Sequence, residues 1–282
     1  MKKIISIFVL MISIFCLGGC FNKNSMENIT IYTTSYPIEF IVNRLYSDHS
    51  TIKSIYPDGT DISEYKVTNT LLKNYNDINL YVFNGLSSEK SYIKTLLKNN
   101  KDLKIIDGTS SIKYENSIEE LWLDPAKLLT IANNIKKGFN EYITATYLNN
   151  EINENYESLK IDLTNLDAKY RSSIEKANSK TIVVSDDIFL YLEKYGLKVL
   201  SLDKDSVTQK TINEVNTLVN NKSIKYIFIK NGENVSDTIK SINATTLELN
   251  TLANLTKDER NKYDYLSLST QNLETLKEEL YK

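Results

Sequence analysis

The side chains able to do chemistry are few, and their types limit what can be done. The 282-residue chain has one histidine, His49, and two cysteines, Cys16 and Cys20. A Ser-His-Asp or Cys-His relay would have to recruit His49, and no nucleophile stands out for it. There is no Gly-x-Ser-x-Gly elbow, no phosphate loop and no glycine-rich dinucleotide turn. His49 just precedes a β-rich segment and reads as a solvent-facing residue at a helix-to-strand turn. Glu120 and Asp186 could in principle cooperate in hydrolysis, but nothing separates them from ordinary loop acids. The expectation is a protein that is not an enzyme. Tyr36, Glu64, Tyr65 and Trp122 could line a ligand cleft, because aromatic walls with a few acids hold cations. Most of the 19 tyrosines are expected to serve packing.

Both cysteines fall at the N-terminus. Lys2 and Lys3 precede an apolar run from Ile4 to Leu17. That run is too short to span a bilayer comfortably and suits a secretory leader. Leu17-Gly18-Gly19-Cys20, followed by polar residues, resembles a bacterial lipobox. The resemblance implies a signal peptide over 1–19, cleavage before Cys20, and lipid on its thiol. A lipid there anchors the protein to the cell membrane, facing away from the cytoplasm, without a span. The mature domain then has no disulfide and no thiolate metal site. Formal charge is −2, and loss of Lys2 and Lys3 leaves 32 bases against 36 acids. No basic cluster appears, which argues against a nucleic-acid partner.

Any cleft must be built by the elements around it. From Ile29 to Ile106, β-branched runs alternate with amphipathic stretches: strand, helix, strand, with short connections. Pro37 opens a helix to Tyr46, and Val67–Tyr75 reads as another. The same alternation resumes from Thr181 to Leu249, with helices over Asp187–Tyr195, Thr211–Asn220 and Val235–Ile242. A helix closes the chain from about Tyr263 to Leu280. Between the two halves, Pro125 to Ala177 has no strand signal, and only Gly138 acts as a breaker. Ile152, Tyr156, Leu159, Leu163, Leu166, Tyr170 and Ile174 form one apolar stripe at helical spacing. The reading is α/β: two lobes, each a four-stranded, mainly parallel sheet with flanking helices, joined by one long rigid helix. The boundaries are a lipid-anchored linker over 20–28, an N-terminal lobe over 29–148, the connecting helix over 149–178, and a C-terminal lobe over 179–282. Ligands of open α/β sheets sit beyond the carboxyl ends of strands. The places to search are therefore 58–65, 115–124, 185–187 and 250–254.

At those segments the chain resembles the zinc- and manganese-binding solute receptors of ABC transporters. Gly59-Thr60-Asp61-Ile62-Ser63-Glu64-Tyr65 is similar to the family's Gly-x-x-x-His-x-Tyr loop. Glu119-Glu120-Leu121-Trp122-Leu123-Asp124-Pro125 resembles Pro-His-x-Trp-Leu-Asp-Pro. Ser185-Asp186-Asp187-Ile188-Phe189-Leu190-Tyr191, with Tyr195-Gly196-Leu197, is similar to the third ligand segment. The resemblance implies Ser63, Glu120 and Asp186 at positions where the family has two histidines and then a histidine or carboxylate. A fourth position falls within Asn250–Asn254, so that Glu64, Tyr65, Trp122 and Asn250 would line the cleft. It implies further a monomeric receptor, partnered by a permease and an ATPase, that captures a divalent metal such as Mn²⁺, Zn²⁺ or Ca²⁺. Oxygen-only donors suit Mn²⁺, Ca²⁺ or Mg²⁺ better than Zn²⁺. The alternative is a degenerate receptor that acts as an adhesion-like surface interaction lipoprotein without metal.

Overall fold

The computed structural model describes residues 26–282; the leader and Cys20 lie outside them. The N-terminal half runs β1 (Ile29–Thr33), α1 (Tyr36–Tyr46), β2 (Ser50–Ser54), α2 (Asn69–Lys73), β3 (Leu80–Phe83), α3 (Ile93–Asn99) and β4 (Lys104–Asp107). Then follow α4 (Glu120–Leu123), α5 (Pro125–Tyr142) and the 30-residue α6 (Thr146–Glu175). The C-terminal half comprises β5 (Thr181–Val184), β6 (Lys198–Ser201), α7 (Gln209–Asn220), β7 (Tyr226–Lys230), α8 (Asp237–Lys240), β8 (Thr245–Leu249), α9 (Lys257–Lys262) and α10 (Tyr265–Leu280).

The two sheets have the same form, with strand orders β2-β1-β3-β4 and β6-β5-β7-β8. Every pairing is parallel. Helices cover both faces, and all four residues of the inner strand β3, Leu80 to Phe83, are apolar and buried. The parallel order places the carboxyl ends of each sheet's strands on one edge, which is where the searched segments begin.

The stripe on α6 is a packing face, as its spacing implies. Leu148, Ile152, Tyr156, Leu159, Leu163, Leu166, Tyr170 and Ile174 are all buried. They belong to one continuous apolar core that includes Ile31 and Leu80 from the first sheet and Ile182 and Phe228 from the second. Smaller clusters back each sheet on its outer face, around Tyr81 in one lobe and Ile227 in the other.

Several local expectations are corrected. The helix expected over Val67–Tyr75 is one short turn, α2, capped by the Thr68 hydroxyl, which accepts the Leu71 N–H. Asp187–Tyr195 is a 3-10 helix. It stops at Gly196, whose φ of 92° is in the left-handed region that glycine tolerates. The helix expected over Val235–Ile242 shrinks to α8. His49 does sit at the helix-to-strand turn, but its Nε2 lies 2.9 Å from Glu151 on α6, and the ring is partly buried.

Gly138 does not break its helix; it lets α5 lie close against β4. A Cβ there would meet the Ile106 side chain at 2.7 Å. Alanine normally gains about 1 kcal/mol over glycine inside a helix. Here Gly138→Ala is expected to lower stability by about 1–3 kcal/mol, the usual range for overpacking. Urea denaturation of the two proteins checks the sign.

Candidate ligand-binding cleft

The segment after β8 binds the loop after β2, the start of α1 and Trp122 of α4. Three carbonyls of that segment, on alternate residues, accept bonds from the N-terminal lobe. Trp122 Nε1 donates to Thr251 O at 2.9 Å. The Tyr36 N–H donates to Ala253 O at 3.0 Å, and the Gly59 N–H to Leu255 O at 2.9 Å. Asn254 Nδ2 donates to the Pro57 and Thr60 carbonyls at 2.7 and 3.1 Å. On the other side, the Thr251 N–H donates to Asn231 Oδ1 at the end of β7. Gly59 has φ of 72°, and a Cβ there would come within 3.2 Å of Thr256 across the seam. The left-handed φ favours glycine at that turn, and the Thr256 methyl leaves little room for a side chain.

Ser63, Tyr65, Trp122 and Asn250 each have a local contact. Ser63 is exposed, and its N–H and hydroxyl donate to Asp61 Oδ1 at 2.8 and 2.6 Å. Glu64 is exposed on the same loop. Tyr65 turns back onto its own lobe, edge-on to Tyr56 at 6.0 Å. Trp122 is buried at the waist, where its carbonyl accepts the Tyr265 hydroxyl at 2.6 Å. Asn250 faces Glu259, donating to it at 2.9 Å, and exchanges bonds with Asn272.

The two carboxylates have cationic partners that the sequence reading missed. Glu120 is buried; it accepts the Glu115 and Asn116 N–H groups at 3.1 Å and forms an ion pair with Lys127. Burial pushes its carboxyl up, but Lys127 and the two N–H groups outweigh that and hold it below 4.5. Asp186 caps the 3-10 helix through the Ile188 N–H at 3.0 Å and pairs with Lys230. Burial lowers the Lys230 ammonium; Asp186 more than compensates, and the net shift is upward. No hydrogen bond or ion pair joins Ser63, Glu120 and Asp186 to one another. Among the described residues, no three histidine, cysteine, aspartate or glutamate side chains are grouped to hold a metal ion.

The sequence reading also missed α9 and its Arg260. Thr256-x-x-Glu259 is a capping box, with both reciprocal bonds formed, and that spacing is a readable helix start. A further carboxyl, Glu89, is sealed behind β3. Its Oε2 accepts the Asn84 N–H at 2.9 Å.

Comparison with known proteins fits this geometry. The family model described as zinc-uptake complex component A, periplasmic (ZnuA), matches residues 31–279. The high-affinity zinc uptake system protein ZnuA of Bacillus subtilis is 25% identical, over 99% of this chain and 98% of its own length. The metal ABC transporter substrate-binding lipoprotein ScbA of Streptococcus cristatus is 26% identical over 69% of each chain. In fold, the Zn(II)-bound ZnuA-like domain of Streptococcus pneumoniae AdcA superposes with a TM-score of 0.74 at 22% identity, covering 90% of this chain and all of that one. The match over 31–279 takes in both sheets, the long helix and all four strand-end segments, and this chain belongs to the family of zinc-uptake complex component A.

Proposed function

We propose that this chain is the solute-binding component of a metal-type ABC importer. It is lipid-anchored at Cys20 outside the cytoplasm, and it captures a divalent cation between its lobes for a permease and its ATPase. The observation that carries this reading is the family match across both lobes, joined to a loop after β8 that ties the segment after β2 and Trp122 to the C-terminal lobe. Two relatives are named for zinc uptake and for metal ABC transport. ScbA is also named a lipoprotein, which fits the lipobox-like leader. Ser63, Glu120, Asp186 and Asn250 carry oxygen donors, the chemistry that suits Mn²⁺ or Ca²⁺, and each is engaged by other partners in the structure.

Cargo has to compete with Lys127 and Lys230 for the two carboxylates. Calorimetric titration with Mn²⁺, Zn²⁺ and Ca²⁺ is the direct test, with Asp186→Ala and Lys230→Met alongside. Asp186→Ala is expected to weaken binding. Lys230→Met is expected to tighten it by about tenfold, or about 1.4 kcal/mol, because no ammonium then has to be displaced. No binding of any of the three ions, by wild type or variant, would remove the metal reading.

The lysine pairs are also the observation that favours the second reading, a surface interaction lipoprotein without metal. The match to a family described by zinc uptake favours import. Deletion of the gene separates the two, since only an importer changes cellular metal content.

A further inference from the structure

The lobes share a core, yet they also meet along a polar seam, and one side chain dominates it. Arg260 rises from α9 of the C-terminal lobe and is 17% exposed. Its Nη1 lies 2.6 Å from Glu39 on α1, and its Nε 2.7 Å from Asp58 on the loop after β2. Its Nη2 donates to Asn254 Oδ1 at 3.2 Å, and the guanidinium lies over the Tyr36 ring at 5.3 Å. One cation thus spans two acids of one lobe from an anchor in the other. The planar, many-donor guanidinium can do this, whereas a lysine ammonium is a single point charge.

We propose that Arg260 is a latch: it fastens the start of α1 and the loop after β2 to the segment after β8, and its release lets this seam part locally without turning one lobe against the other. Rotation of the lobes would have to tear the apolar core that runs through α6 into both sheets. At the seam Tyr36, Leu252 and Leu255 belong to that same core. Its polar side consists of the main-chain bonds from Tyr36 to Ala253 and from Gly59 to Leu255, the Asn254 amide, and the Arg260 cluster. Without Arg260, Glu39 and Asp58 face each other uncompensated, and burial already pushes the Glu39 carboxyl above its ordinary value. Once the guanidinium lets go, the polar bonds left between residues 57–60 and residues 253–256 are the Gly59 N–H to Leu255 and the Asn254 amide. The latch stands on contacts between the lobes and holds whether the cargo is a metal or another small ligand.

The two seam N–H groups report on it directly. Amide hydrogen exchange would be followed by NMR in the full chain without added metal, for wild type, Arg260→Ala, Arg260→Lys and Glu39→Gln. Exchange at Tyr36 and Gly59 is expected to rise about tenfold or more in Arg260→Ala, equivalent to about 1.4 kcal/mol of lost protection. Glu39→Gln keeps the shape and should give a smaller rise at the same two sites. Arg260→Lys should fall between wild type and Arg260→Ala. Amides of β3 and β5 should stay as in wild type. Unchanged exchange at Tyr36 and Gly59 would overturn the latch. Equal loosening of both sheets would overturn it too, since that reports general destabilisation. Because no metal enters the measurement, the latch stands or falls independently of whether the cleft binds metal.

Discussion

Glu89→Gln is expected to make the protein more stable above neutral pH and to flatten its pH profile. Glu89 is 3% exposed, and burial raises its carboxyl from 4.5 to about 7. The hydroxyls of Thr34, Ser87 and Tyr56 and the Asn84 N–H pull it back only part of the way. The folded state therefore holds a proton that the unfolded chain has already lost between about pH 4.5 and 7, and stability falls as pH rises through that window. The full loss above the window is about 3 kcal/mol, from about 1.4 kcal/mol per pKa unit. Glutamine keeps the shape and an acceptor for Asn84 but cannot ionise. Thermal unfolding from about pH 4.5 to 8 should show the wild type declining and the variant nearly level. A slope of equal size in both proteins would assign the decline to other groups.

Tyr170→Ala is expected to cost about 3–5 kcal/mol, the range for emptying a buried aromatic site, and to lower both lobes together. Tyr170 has no exposed surface. It stacks on Tyr195 at 5.6 Å and donates to Ser269 O at 2.8 Å. Its helix contributes to the core of both lobes. Unfolding by urea should thus remain a single transition, with a lower midpoint and the same slope. Separate transitions for residues before and after α6 would refute a shared core.

The strands and long helices were legible because their patterns are local. Ile29–Thr33, Leu80–Phe83 and Thr181–Val184 are short apolar runs covered on both faces, and the α6 stripe repeats at helical spacing. Short helical elements were read less well. In Asp187–Tyr195 and Val235–Ile242, capping and tertiary contacts decide the number of turns. The cleft was legible as a set of strand ends and illegible as chemistry. Glu120 finds Lys127 seven residues on, but Asp186 finds Lys230 only through the pairing of β5 with β7. Arg260 meets Glu39 across 221 positions. No spacing rule announces such partners.

The waist of this molecule is held by peptide oxygens as well as by side chains. Thr251, Ala253 and Leu255 offer carbonyls to the opposite lobe, and a carbonyl is present whatever residue bears it. Replacement at neighbouring strand tips can therefore proceed without unfastening the halves. A receptor joined in this way can change the side chains at its strand tips, keeping its shape while its appetite changes.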